Sequence, residues 1–102
     1  MPKLIVLYNL APNVTEEQFD EYITKEKGPV SNTLPSVKKY ELVKTIESPV
    51  GKSPYKYIEI YHLESMEEWT AKGFSSARNQ EIFNKWKPMA TDMQFWFAEE
   101  NY

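Results

Sequence analysis

"SPYKYIEIYHLES", residues 53–65, decides how this chain is read. From Tyr55 to Leu63 its Tyr and Ile residues with one Leu give the composition of a strand, interrupted by Lys56, Glu59 and His62. Ser65 then opens a helix, because the S-x-x-E spacing from Ser65 to Glu68 is a capping box. Successive strand residues face opposite ways. Tyr57, Glu59, Tyr61 and Leu63 therefore form one stripe, and Ile58, Ile60 and His62 the other. The apolar residue just before the helix cap, Leu63, is placed to pack beneath the helices. That puts the Tyr57–Glu59–Tyr61 stripe between sheet and helices. A carboxylate there is costly unless it is hydrogen-bonded or neutralised.

Working outward, "KLIVLYN" at 3–9 is a nearly continuous apolar run and reads as a strand buried on both faces. Thr15 caps a helix, with Gln18 completing the box and Glu16 and Glu17 suiting the helix N-terminus. Phe19, Tyr22 and Ile23 form its apolar face, and Gly28-Pro29 is expected to stop it. "VKKYELVKTIE" at 37–47 is the second strand, with Tyr40, Leu42, Lys44 and Ile46 on one side. "SPVGKSP" makes the antiparallel return into the third strand, 55–63. The second helix begins at Ser65, with Met66 and Trp69 facing inward and a break expected near Gly73 and Ser75-Ser76. A further helical piece carries Ile82, Phe83, Trp86 and Met89, and "MQFWFAEE" at 93–100 is the last strand.

The 102 residues suit one domain, residues 1–102, with one core. The formal net charge is −3 with acids and bases interleaved, which gives little attraction for phosphate backbones or anionic lipid, so neither nucleic acid nor a membrane is an expected partner. No apolar run reaches the roughly 20 residues of a membrane span, and the N-terminus lacks the pattern of a secretory signal. There is no Cys, which removes disulfides, thiolate nucleophiles and Cys-ligated metals. A cytoplasmic location follows most simply. Aromatic residues make up 15% of the chain. They can fill a core, line a pocket for a flat organic ligand, or form a dimer surface.

The order β-α-β-β-α-β specifies an α+β, ferredoxin-like fold, in which a four-stranded antiparallel sheet carries the helices on one face. Its other face is apolar, with either Leu4, Val6 and Tyr8 or their alternates on strand 1 and Ile58 and Ile60 on strand 3. A face of that kind needs a cover, and a second copy of the same face supplies one, so a homodimer is expected. RNA-recognition modules share this topology but need rings on the open face of strands 1 and 3. Ile58 and Ile60 do not provide them.

The segments "KLIVLYNLAPNVTEEQFDEYI", "LPSVKKYELV" and "SPYKYIEIYHLESMEEW", with the closing aromatic strand, resemble the dimeric α+β barrel superfamily. Within it they are similar to the small HapK/RedY-like proteins of prodiginine-type biosynthesis, and more distantly to EthD-like proteins. The resemblance covers nearly the whole chain and implies that two sheets close into one barrel. It also implies a ligand cleft in each subunit between sheet and helices, and a range of activities that includes cofactor-free monooxygenases, cyclases and isomerases. EthD-type relatives carry a His before the "G/A-P" step near the end of the first helix. Here that place is Lys27, in "KEKGPV", so the chemistry of that His does not carry over.

Glu59 is the first candidate for chemistry, as a general base or as the acceptor for a ligand N–H. The competing reading is a Glu satisfied by Tyr hydroxyls, a Lys or Arg78 for structure alone. His62 is the second catalytic candidate, set against a satisfied rim residue on the dimer stripe. Asn9, at the end of strand 1, could share the side of Glu59 as a polar anchor, or could bond the following turn. Tyr22, Tyr57, Tyr61, Trp69 and Trp86 would make the wall of a ligand pocket aromatic. Arg78, the only Arg, could clamp an anion at its mouth. No metal-ligand spacing occurs and no tightly held cofactor is expected. The expected function is binding a small aromatic or heteroaromatic metabolite, or cofactor-independent enzymatic assistance in its biosynthesis, with an internal pocket touching Glu59. The alternatives are a non-catalytic binding or chaperone-like partner of a biosynthetic enzyme, and a cofactor-free monooxygenase or isomerase.

Overall fold

In the computed structural model, which describes residues 1–102, four strands form one antiparallel sheet in the order β2-β3-β1-β4. They are β1 (Pro2–Leu10), β2 (Val37–Lys44), β3 (Tyr57–Leu63) and β4 (Ala90–Glu99). With helices between β1 and β2 and between β3 and β4, the fold is α+β and ferredoxin-like. Register fixes what each face carries. Val6 stands opposite Glu59 on β3 and Phe95 on β4, and Leu4 opposite Tyr61 and Phe97. The helices cover this side, where Tyr8, Tyr57, Glu59, Tyr61 and Leu63 are all buried.

The first helical rod starts where the sequence says it should. Thr15 and Gln18 make a complete capping box ahead of α1 (Glu16–Tyr22). It does not stop at Gly28-Pro29. A π turn, Ile23–Lys27, leads into one more α turn, α2 (Gly28–Ser31), so the rod ends later than expected. Pro29 has no N–H for the usual i−4 bond and its ring crowds the preceding turn. The wider turn accommodates it, with the N–H of Gly28 reaching Ile23 O instead.

The second rod repeats the device. Ser65 caps α3 (Met66–Glu68), a π turn follows over Trp69–Gly73, and Ser76 caps α4 (Ala77–Trp86). The break near Gly73 expected from the sequence is present. Gly73 is required there, because a Cβ at this position would sit 2.5 Å from Pro35 O and overlap the Trp69 ring. A 3₁₀ turn, Lys87–Met89, leads into β4.

The core lies between sheet and helices. Phe19 packs against Tyr8 and Tyr57, and Trp86 meets the Tyr8 ring edge-on at 4.9 Å between centroids. Each such ring, fully removed from water, contributes on the order of 1.5–3 kcal/mol. β1 is buried on its helix side alone. Leu4, Val6 and Tyr8 are core, whereas Ile5 and Leu7 on the other face are only half-buried. That open face continues through Ile58 and Ile60 and ends in Trp96 and Val43, 58% and 40% exposed. No helix is long and apolar enough to cross a membrane.

Candidate functional site

Glu59 is 1% exposed and sits at the centre of a polar cluster inside the aromatic core. The Lys27 ammonium lies 2.9 Å from its Oε1. The Tyr8 hydroxyl donates to Oε2 at 2.5 Å, and the Tyr61 hydroxyl donates to Oε1 at 3.3 Å. Lys27 also donates to the Tyr61 hydroxyl at 2.8 Å, and its ammonium stands over the rings of Tyr40, Tyr61 and Trp86 at 5.1–5.5 Å. Three donors on one carboxylate resolve the cost of burying it.

The electrostatics follow from that geometry. Burial works against the Lys27 charge, but the Glu59 carboxylate, followed by Tyr61, outweighs it and holds the lysine pKa above its ordinary value. Burial, reinforced by Glu59, drives the Tyr8 and Tyr40 phenols well up. Burial also raises Tyr61, although Lys27 opposes it. The phenols of the cluster are therefore neutral beside a charged Lys27.

A cavity of about 40 Å³ adjoins the pair, lined in part by Lys27, Glu59, Tyr61, Asn79 and Trp86. Beside it lies a cleft of about 340 Å³ walled by Leu4, Trp69, Phe74, Phe83, Phe95 and Phe97, with Thr70 its one polar residue. Five of those cleft residues, Leu4, Trp69, Phe74, Phe83 and Phe95, also line the inner cavity, so the two spaces share a wall. Phe74, Phe95 and Phe97 remain 42–50% exposed at the mouth. The site is thus an apolar funnel with a polar floor, the usual composition of a small-molecule pocket.

The other residues named from sequence fall in different places. Tyr61, Trp69 and Trp86 border the inner cavity. Tyr22 is buried but gives its hydroxyl to Ile82 O, and Tyr57 stacks on Tyr8 with its hydroxyl toward Glu16. His62 is on the open face of the sheet, 2.7 Å from Glu41 Oε1, so sheet backbone separates it from Glu59. Hydrogen bonding to His62, with Lys39 and His62 charge adding, lowers the Glu41 pKa. Asn9 does not join Glu59. The register sets Val6, three residues earlier, against Glu59, so Asn9 belongs to the opposite side. Its side chain instead ties the 54–56 loop, donating to Pro54 O and accepting from Lys56 N, and it also donates to Asp92 Oδ2. Arg78 is exposed beside Glu81 and Lys25, outside the funnel.

Two site residues were not singled out as such. The sequence marks Lys27 only as the residue standing where EthD-type relatives carry a His, with no role of its own. The π turn carries it onto the buried face below Tyr22. Asn79 is 5% exposed and faces the inner cavity. Its signal was available: Asn79, Ile82, Phe83 and Trp86 recur at i, i+3, i+4 and i+7, so one polar residue interrupts an apolar stripe.

The family model of the REDY-like protein HapK matches residues 2–100. Among solved structures, HapK from Hahella chejuensis is 17% identical, with a TM-score of 0.81 over 99% of this chain and 93% of that one. An ethyl tert-butyl ether D (EthD) family protein from Bacillus halodurans is 20% identical, with a TM-score of 0.80 over 99% of both chains. A dimeric ferredoxin-like protein of unknown function from Thermobifida fusca is 16% identical, with a TM-score of 0.76 over 95% of this chain and 88% of that one. No curated protein matches the sequence.

Proposed function

The chain belongs to the REDY-like HapK family, and from that premise we propose that it is a cytoplasmic homodimer that binds a small aromatic or heteroaromatic metabolite. It would assist one step in the biosynthesis of such a secondary metabolite without a tightly held cofactor. One observation carries this reading: the apolar cleft of about 340 Å³ shares a wall of five residues with the small cavity that touches the buried Lys27–Glu59 pair. A flat ligand of ring size fills the cleft and stacks on Trp69, Phe74 and Phe83. Its polar end meets the floor. Glu59 lines the inner cavity, so a ligand N–H or an acidic proton can be presented to it, with the Lys27 charge beside it to balance the change. An isomerisation or a cofactor-free oxygenation would use the same proton acceptor.

A second reading has its own support. Both Glu59 oxygens already accept hydrogen bonds from Lys27, Tyr8 and Tyr61. A carboxylate so fully engaged serves to hold a binding wall as well as to move a proton. On this reading the protein binds or shelters an intermediate for a partner enzyme.

A thermal-shift screen with planar pyrrole, indole and polyketide-like compounds tests the common part. Ligands of the cleft raise Tm, and Phe83→Lys abolishes the rise. Equal rises in that variant would place binding elsewhere. Turnover of pathway intermediates that disappears in a folded Glu59→Gln variant separates the enzyme from the non-catalytic binder.

A further inference from the structure

The floor of the funnel has hydrogen-bonding capacity that the protein leaves unused. A lysine ammonium has three donors. Lys27 spends them on two oxygens, Glu59 Oε1 and the Tyr61 hydroxyl. Trp86 is 2% exposed, and its indole N–H has no partner. Asn79 is 5% exposed and gives its amide to Phe74 O, while its Oδ1 receives nothing from the chain. All three residues line the same inner cavity. A buried donor left in the state of the Trp86 N–H is uncommon and costly, and its usual partner is a ligand or a water.

Size narrows the occupant. A cavity of about 40 Å³ holds a group of two or three heavy atoms, but no ring. The ring belongs to the apolar cleft outside it. Charge narrows it further. Lys27 and Glu59 already neutralise each other, so the floor has no spare formal charge. An anionic group would lose its hydration and gain no counter-charge, and a cation would meet the Lys27 ammonium.

We propose that the inner cavity, lined by Lys27, Asn79 and Trp86, recognises a neutral oxygen-bearing tip on a planar aromatic ligand. A carbonyl oxygen accepts from Lys27 or Trp86, and an adjacent N–H or O–H donates to Asn79. The ligand class is a neutral aromatic or heteroaromatic carbonyl compound or phenol, and the corresponding carboxylate is excluded. This rests on the cleft being the ligand site, and it specifies which ligands that site accepts.

Isothermal titration of the full chain with indole-2-carboxamide, indole-2-carboxylate and indole tests it. The carboxamide should bind at least about tenfold more tightly than either of the others, the discrimination expected when buried polar groups gain or lose a partner. In Asn79→Leu the carboxamide's advantage over indole should fall at least several-fold while indole itself still binds. Carboxylate binding as tight as carboxamide would overturn the proposal. If all three bind within about twofold, the cleft stands and its polar selectivity does not. If none binds, both fail. Because the wild-type comparison needs no variant, the result does not depend on how Asn79→Leu folds.

Discussion

The Lys27 ammonium and the Glu59 carboxylate meet at 2.9 Å with 5% and 1% of their side-chain surface in water. An ion pair this dry is weak evidence for net stability, but it is unforgiving of losing one member. Lys27→Met should therefore cost about 3–5 kcal/mol, because it strands the carboxylate. The double variant Lys27→Met/Glu59→Leu should recover most of that loss. Urea denaturation of the four proteins in the cycle measures the coupling. A single-variant cost below about 1 kcal/mol would contradict the arrangement of the cluster.

The same cluster sets an alkaline limit. Lys27, Tyr8, Tyr40 and Tyr61 all have folded pKa values above their ordinary ones. Their contribution is intact below the unfolded values, near 10 for Tyr and 10.4 for Lys, and is lost as pH rises. Above about pH 10, each group that loses its proton only on unfolding removes about 1.4 kcal/mol per pH unit. Denaturation midpoints between pH 8 and 11 should be flat and then fall steeply. A flat profile throughout would contradict the burial of these groups.

The fold was legible because its signals are local. The caps at Thr15 and Ser65 and the alternation through Tyr57–Leu63 need only neighbouring residues. Glu59 facing the helices followed from Leu63 in the same way. Its partner did not, because Gly28-Pro29 reads as a helix stop and only the π turn before it turns Lys27 inward. Asn9 was misplaced for a different reason. Alternation along one strand says nothing about which parity of the next strand it meets, and a register shift between Leu7 and Asn9 interrupts the pairing with β4. Arg78 is one position from the residue that matters, Asn79, and the break at Ser76 resets the helical phase that would have told them apart.

Gly73 is a lever on the cleft wall. Gly73→Ala pushes a methyl into Pro35 O and the Trp69 ring, and overpacking of this kind costs about 1–3 kcal/mol. Because Trp69 lines both the cleft and the inner cavity, the variant should also weaken ligand binding. A Tm drop with unchanged ligand affinity would show that the Trp69 side of the cleft does not touch the ligand.

The open sheet face predicts assembly. Ile60 stands between Glu41 and Ile5 in the middle of that face, remote from the funnel. Ile60→Asp should convert a dimer to a monomer in sedimentation at micromolar concentration, while a cleft ligand still binds each subunit. Monomeric wild-type protein under those conditions would rule out the homodimer.

The funnel itself is tested by mapping where a planar aromatic binds. Indole-2-carboxamide, titrated into isotopically labelled protein and followed by NMR, should shift Phe74, Asn79, Phe83, Phe95 and the Trp86 indole N–H together. The signals of Lys44, Lys52 and Ile46 at the far hairpin should stay in place. Shifts confined to that hairpin or to the open sheet face, with the Trp86 indole unmoved, would contradict a ligand site above Lys27 and Glu59.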